Sequence, residues 1–212
     1  PAKCMVCDMV LNEDTPTYIC QPCKKSLPRY LKGFAKSVQT PYLDGIFAAF
    51  YYRDGVETAI HNMKFKSNPR LAQTMGNLIC EELMQYQPLP EFDFIIPVPM
   101  HPKKKRQRGY NQAELVAKEA AGILNKEVHT DILLKTQNTR PQIQLKREER
   151  LRNLESAFTI NNNTVTKKNL NRHILLVDDV LTTGTTINTC AKILKDNGFS
   201  YVYALVIAIA QK

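Results

Sequence analysis

Residues 174–186 read Ile174-Leu175-Leu176-Val177-Asp178-Asp179-Val180-Leu181-Thr182-Thr183-Gly184-Thr185-Thr186. Four apolar residues end on two adjacent carboxylates, and after Val180 and Leu181 come five residues that are only Thr or Gly. The apolar run predicts a strand buried on both faces, and the apolar spacing over residues 187–194 predicts a helix. Strand, turn and helix in that order put the turn at the carboxyl edge of a sheet. There the unpaired N–H groups of the helix start and the positive end of its dipole face outward, which makes a phosphate site. Gly184 lets the backbone approach a ligand closely, the hydroxyls of Thr182, Thr183, Thr185 and Thr186 add donors, and Asp178 and Asp179 can accept hydrogen bonds from sugar hydroxyls. Phosphate beside vicinal hydroxyls is ribose 5-phosphate chemistry. The competing reading of the same residues is an ordinary helix cap.

Outward from this stretch, the chain alternates strand and helix signals. Residues 46–52 predict a strand ended by the turn pair Asp54-Gly55, residues 27–34 a short helix before it, and residues 56–63 and 71–84 two helices after it. Residues 94–99 form an apolar strand whose prolines mark its carboxyl end, so a second turn is expected at the ligand edge. A helix over 113–124, a strand over 132–134, a charged helix near 146–154 and a last strand over 201–208 complete the pattern. Such alternation indicates a parallel sheet. With 212 residues the chain can bury a substantial core without disulfides. No window reaches 18 apolar residues and the first residues carry no apolar signal segment, so the expectation is a cytoplasmic protein with no membrane span.

Six cysteines are present. Cys4 and Cys7, then Cys20 and Cys23, form two C-x-x-C pairs separated by 12 residues. Two thiolate knuckles can enclose one tetrahedral ion, for which zinc is the best match, and a closed four-thiolate site staples a fold rather than catalysing. A redox dithiol and two structural disulfides are the alternatives. Cys80 and Cys190 fall on apolar helix faces and read as core.

The net charge of +9 is unevenly spread: residues 101–152 carry 13 basic and 6 acidic side chains. The excess gathers in His101-Pro102-Lys103-Lys104-Lys105-Arg106-Gln107-Arg108 and in residues 140–152. Such segments can neutralise a pyrophosphate or follow a nucleic-acid backbone, and the bland alternative is a solvated basic face. Tyr110, between Gly109 and Asn111, offers a ring that could stack on a base, or a core residue at the helix entrance.

The stretch 174–186 closely resembles the phosphoribosyl pyrophosphate (PRPP) signature of type I phosphoribosyltransferases. In that family two acidic residues hold the ribose hydroxyls and the small-residue loop wraps the 5-phosphate, with Mg²⁺ accompanying PRPP. Purine-salvage members carry an Asp where this chain has Thr182, and Thr182 cannot act as a base near neutral pH, so ordinary purine salvage is disfavoured. The whole chain resembles the ComF family of competence proteins, of the ComFC type. That resemblance runs through the four-cysteine ribbon, then Met63-Lys64-Phe65-Lys66, Ile96-Pro97-Val98-Pro99-Met100-His101-Pro102 and Arg106-Gln107-Arg108-Gly109-Tyr110-Asn111-Gln112-Ala113. It continues through residues 147–153 and Ala157-Phe158 to the PRPP signature.

The resemblance implies an α/β fold, a type I phosphoribosyltransferase-like parallel sheet flanked by helices over residues 27–212, with an N-terminal zinc ribbon over residues 1–26. It implies a role in natural transformation, handling incoming single-stranded DNA beside a DNA-translocating ATPase, and a cytoplasmic place that reaches the inner face of the membrane only through partners. It assigns Val98 and Pro99 to pyrophosphate. Lys103, Lys104, Lys105, Arg106, Arg108 and Tyr110, with help from Arg147, Arg150 and Arg152, become candidates for DNA. An active transferase with an unidentified acceptor and a PRPP-sensing adaptor remain the alternatives; no catalytic residue is assigned.

Overall fold

The computed structural model describes residues 1–12, 17–66, 68–137, 156–165 and 171–210. The expected charged helix near 146–154, and with it Arg147, Arg150 and Arg152, lies outside the described residues. Five strands, β1 (Gly45–Tyr51), β2 (Phe94–Pro97), β3 (Glu127–Val128), β6 (His173–Leu181) and β7 (Tyr201–Ile209), form one parallel sheet in the order β1-β7-β6-β2-β3. Both faces are covered, which is why β1 and β6 are apolar almost throughout. The period of two sorts the side chains: Leu175 and Val177 pack with Phe47, Ile95 and Leu205 on one face, and Ile174 and Leu176 with Ile96, Ala204 and Val206 on the other.

The first face is closed by α2 (Asp54–Phe65), α3 (Pro69–Leu83) and α5 (Gln112–Leu124), through Ile60, Met63, Met75, Ile79 and Val116. The second is closed by the helix after β6, α6 (Thr185–Asp196), through Ile187, Cys190, Ala191 and Leu194. A short basic helix, α4 (Pro102–Arg108), follows β2.

Three local expectations are corrected. Residues 27–34 are not helical: Pro28 and Gly33 (φ +57°) interrupt a helix, Leu31 and Lys32 form a turn, and Arg29 bridges antiparallel to Phe50 of β1, with Tyr30 N–H bonded to Ala49 O and Tyr51 N–H to Pro28 O. The helix forms earlier, as α1 (Gln21–Ser26), with Pro22 in its first turn. Asp54 and Gly55 open α2 instead of forming a free turn. The strand expected over 132–134 is β4 (Leu133–Lys135). It leaves the parallel sheet and pairs antiparallel with β5 (Phe158–Ile160), because Leu133, Phe158 and Ile160 bury against α6's side of the sheet.

Residues 1–12 and 17–26 form the ribbon, with a Lys3–Val10 bridge closing the first knuckle. Its Met5, Leu11 and Ile19 share one continuous core with α2 and α3. Asn62 Nδ2 donates to Met5 O at 2.8 Å and fastens the ribbon to the end of α2.

Candidate ligand site and cysteine centre

β2 and β6 are neighbours, and Val98 N–H bonds Val177 O at 2.8 Å, so the turns that follow the two strands lie side by side at the carboxyl edge. β6 runs on through Asp178 and Asp179 to Leu181, since Val180 and Leu181 still pair with Ala208 and Ile209 of β7. The turn proper is therefore residues 182–184. Thr182 and Thr183 are exposed, Gly184 sits at φ +75°, and α6 starts without a side-chain cap. Thr183 and Thr185 share a hydroxyl contact of 2.8 Å. Thr185 N–H leans on Thr183 Oγ1 at 3.4 Å, and the N–H groups that follow it in the first turn of α6 point to where an anion can bind. Gly184 has a second reason to be glycine: a Cβ there would stand 2.5 Å from Thr40 Cγ2. Thr40 itself is buried, and its hydroxyl has no partner among the described residues.

Sequence reasoning missed the side chains that fix the carboxylates. Asp179 is buried, its Oδ1 accepts the Val180 N–H at 2.7 Å, and its Oδ2 accepts from Gln112 Nε2 at 2.8 Å and lies 2.8 Å from Lys64 Nζ. Lys64 comes from the end of α2 and Gln112 from the start of α5. Two blocks of the family resemblance, 63–66 and 106–113, meet at this one residue.

The block Gly109-Tyr110-Asn111-Gln112 works as a bracket. Gly109, at φ +90°, caps α4, and Tyr110 donates its hydroxyl to Met63 O. Asn111 caps α5 through Oδ1 and donates Nδ2 to Val98 O at 3.0 Å. The expected base-stacking role of Tyr110 is corrected: its ring is buried and its hydroxyl committed, so no face is open to a base. Val98 is corrected as well. Its N–H and C=O are both taken and its side chain is buried, while Pro99 has no N–H to offer, so the two residues frame the turn rather than donate to a ligand.

Burial, and next to it the charge of Asp179, raises the Asp178 carboxyl to about 7, against the Asp179 N–H and the charges of Lys64 and Lys135. An unfolded Asp titrates near about 4. The folded chain therefore binds more protons than the unfolded chain between about pH 4 and about pH 7, and the site's contribution to stability falls as pH rises through that window. Asp178→Asn stays neutral and can still accept the Asp179 N–H. In thermal melts it should match the parent near about pH 4, gain on it up to about pH 7, and hold a constant lead above that. A lead independent of pH, or a less stable variant at about pH 8, would contradict the assignment.

Lys135, on β4, lies 4.8 Å over the Phe158 ring. Burial and the charge of Lys104 lower its ammonium, while Cys190 and Asp178 pull it back up, so Lys135, Lys104 and Asp178 lie within electrostatic reach of one another. Within α4, Lys105 pairs with Glu114 at 2.8 Å and Arg108 donates to Gln112 Oε1. Lys103, Lys104 and Arg106 are exposed. Burial pushes both remaining thiols up, Cys80 to about 12, as suits core residues rather than nucleophiles.

The four ribbon thiols converge, with Sγ atoms all within 4.8 Å of one another. Cys7 and Cys20 Sγ are 3.7 Å apart, close to the ~3.8 Å edge of a tetrahedron of zinc–sulfur bonds. Burial works to raise Cys4, but N–H groups of Cys20, Cys7 and Val6 bring it down to about 7, whereas burial and the neighbouring thiols push Cys23 up, so it is the convergence of the four sulfurs that speaks for a metal. The donor set fits a metal such as zinc. No helix among the described residues is long and apolar enough to cross a membrane. A cleft of about 740 Å³ lined by Leu89, Phe92, Lys126, Arg172 and His173 lies at the amino ends of β2 and β6, the opposite edge from these turns.

No family model matches the chain. It is 28% identical over 196 residues to competence protein F of Haemophilus influenzae, covering 90% of this chain and 84% of that protein. To DNA utilization protein YhgH of Escherichia coli O157:H7 it is 30% identical over 156 residues, 71% of this chain and 66% of the other. To competence protein ComFC of Streptococcus pneumoniae it is 32% identical over 151 residues, 71% of this chain and 62% of the other. Among solved structures it overlaps an allosteric regulatory enzyme of purine biosynthesis (TM-score 0.48, 17% identity, 70% of this chain and 30% of that one). It also overlaps an adenine phosphoribosyltransferase (TM-score 0.43, 14% identity, 75% and 76%). With this likeness to competence proteins extending over most of its length, the chain belongs to the ComF family.

Proposed function

We propose that this chain is a DNA-uptake factor whose carboxyl-edge site binds PRPP or a related phosphoribosyl ligand. The observation that carries the ligand reading is the junction of a half-buried carboxylate, Asp178, whose Oδ2 has no partner among the described residues, with the start of α6 after a turn of Thr and Gly. The backbone and hydroxyls of residues 182–186 take the 5-phosphate and the carboxylate pair faces the sugar hydroxyls. Mg²⁺ accompanying the ligand would neutralise part of its phosphate charge. The names of the relatives, two competence proteins and a DNA utilization protein, support the role in uptake. The ribbon cysteines hold structural zinc, and the residues around the site bring α2, α4, α5 and β6 to one ligand.

DNA contact falls to Lys103, Lys104 and Arg106, which stand exposed on α4, with Lys105 and Arg108 held in place by Glu114 and Gln112. A DNA-translocating ATPase is the partner this role calls for. Changing Lys103, Lys104 and Arg106 together to Ala should weaken single-stranded DNA and lower the slope of log affinity against log salt by about 2, from about 0.7 per lost phosphate contact. Loss of PRPP affinity with unchanged DNA affinity and slope would instead give these side chains to pyrophosphate. An active transferase is the second reading, favoured by the cations Lys64 and Lys135 beside the carboxylates. Release of pyrophosphate from PRPP on adding candidate acceptors separates it from a chain that binds without turnover.

A further inference from the structure

Asp178 and Asp179 are adjacent in sequence but not equivalent in surroundings. Three contacts converge on Asp179, from the Val180 N–H, Gln112 Nε2 and Lys64 Nζ, out of about four acceptor positions on a carboxylate. Asp178 accepts one N–H, that of Asp179, on Oδ1, and its Oδ2 has no partner among the described residues.

The cations have matching asymmetry. Lys64 has three donors, and Asp179 engages one of them. Its side chain is 26% exposed, and its ammonium meets the buried carboxylate of Asp179. Lys135 is fixed over Phe158 and feels Asp178. The chain holding Lys64 is itself clamped, since Tyr110 bonds Met63 O and Asn62 bonds Met5 O. A lysine stem so restrained loses little further entropy when it meets an anion.

We propose that the pair divides its work: Asp178 accepts the sugar hydroxyls, while Asp179 is a positioning residue that aims Lys64 at the diphosphate on C1 of the ribose. The assignment rests on the phosphoribosyl reading of the site. It supplies what the carboxylates and the threonine turn lack, namely positive charge for the second anionic group of the ligand. It also gives Gln112 a role, as the second donor that fixes Asp179 Oδ2.

The test compares two ligands that differ only at C1, PRPP and ribose 5-phosphate, each with Mg²⁺, by calorimetry on the full chain. Lys64→Met keeps the apolar stem and removes the ammonium. It should weaken PRPP about tenfold or more while changing ribose 5-phosphate less than about twofold, and Lys64→Arg should keep most of the PRPP affinity. Asp179→Asn should follow Lys64→Met, whereas Asp178→Asn should weaken both ligands alike. The double variant Lys64→Met/Asp179→Asn removes both charges together, leaves no unpaired buried carboxylate, and should show the same selective loss with a normal melting transition. Equal loss of both ligands in Lys64→Met, or undiminished PRPP binding, overturns the division of work and leaves the phosphoribosyl site standing. A parent chain that binds neither ligand overturns both.

Discussion

Gly184→Val is expected to destabilise the chain by about 3 kcal/mol or more and to abolish PRPP binding, through two separable causes. At φ +75° a residue with a Cβ adopts a left-handed backbone at a cost of about 1–2 kcal/mol, more when β-branched. The Cβ would also stand 2.5 Å from Thr40 Cγ2, inside any normal contact. Either the turn moves, carrying the N–H groups of α6 away from the phosphate, or the segment around Thr40 moves, and Tyr42 N–H then loses Asn188 Oδ1, to which it is bonded at 3.1 Å. The causes part in a double-mutant cycle. Thr40→Ser removes the obstructing methyl, so in a Gly184→Ala background it should recover about 1 kcal/mol or more while the backbone strain remains. Additive effects of Gly184→Ala and Thr40→Ser would show that the two residues do not meet.

The second large effect concerns the ribbon. Purified protein should contain about one zinc per chain, as one closed four-thiolate site requires. Stripping it with a chelator, or Cys20→Ser, should lower the melting temperature by roughly 10–20 °C. The size follows from what the metal holds down: Met5, Leu11 and Ile19 belong to the same core as Ile60 and Met75, and exposing each costs about 1.5–3 kcal/mol. Because Met5 O is the acceptor of Asn62, two residues before Lys64, loosening of the ribbon should reach the ligand edge too. A protein that melts normally with all four thiols free and no metal would overturn the zinc assignment.

How far the sequence could be read depended on how local each interaction is. The strand, turn and helix around residues 174–196 were legible because apolar runs, small residues and helical spacing are all local signals. So was the cysteine cluster, whose spacing alone brings the thiols together. The extension of β6 through the two carboxylates was not, since it depends on the pairing of Val180 and Leu181 with β7. Tyr110 read equally as stacking platform or core, because its partner, Met63 O, lies 47 residues away. Gln112 and Asp179 are 67 residues apart, and nothing near either announces the other. The available signal was indirect: Met63-Lys64-Phe65-Lys66 stood out in the family resemblance without a local task, as residues with a partner distant in sequence would. The separation of β4 and β5 from the parallel sheet was equally hidden, since short strands carry little information about which partner they choose.

The central claim is that the carboxyl edge of β6 binds a 5-phosphoribosyl group, and the most direct measurement is a calorimetric titration of PRPP with Mg²⁺ into the parent chain and into Asp178→Ala/Asp179→Ala. Saturable binding at about one site per parent chain, weakened by about a hundredfold or more in a double variant that still melts cooperatively, is the predicted result. Unchanged affinity in the folded double variant would contradict it.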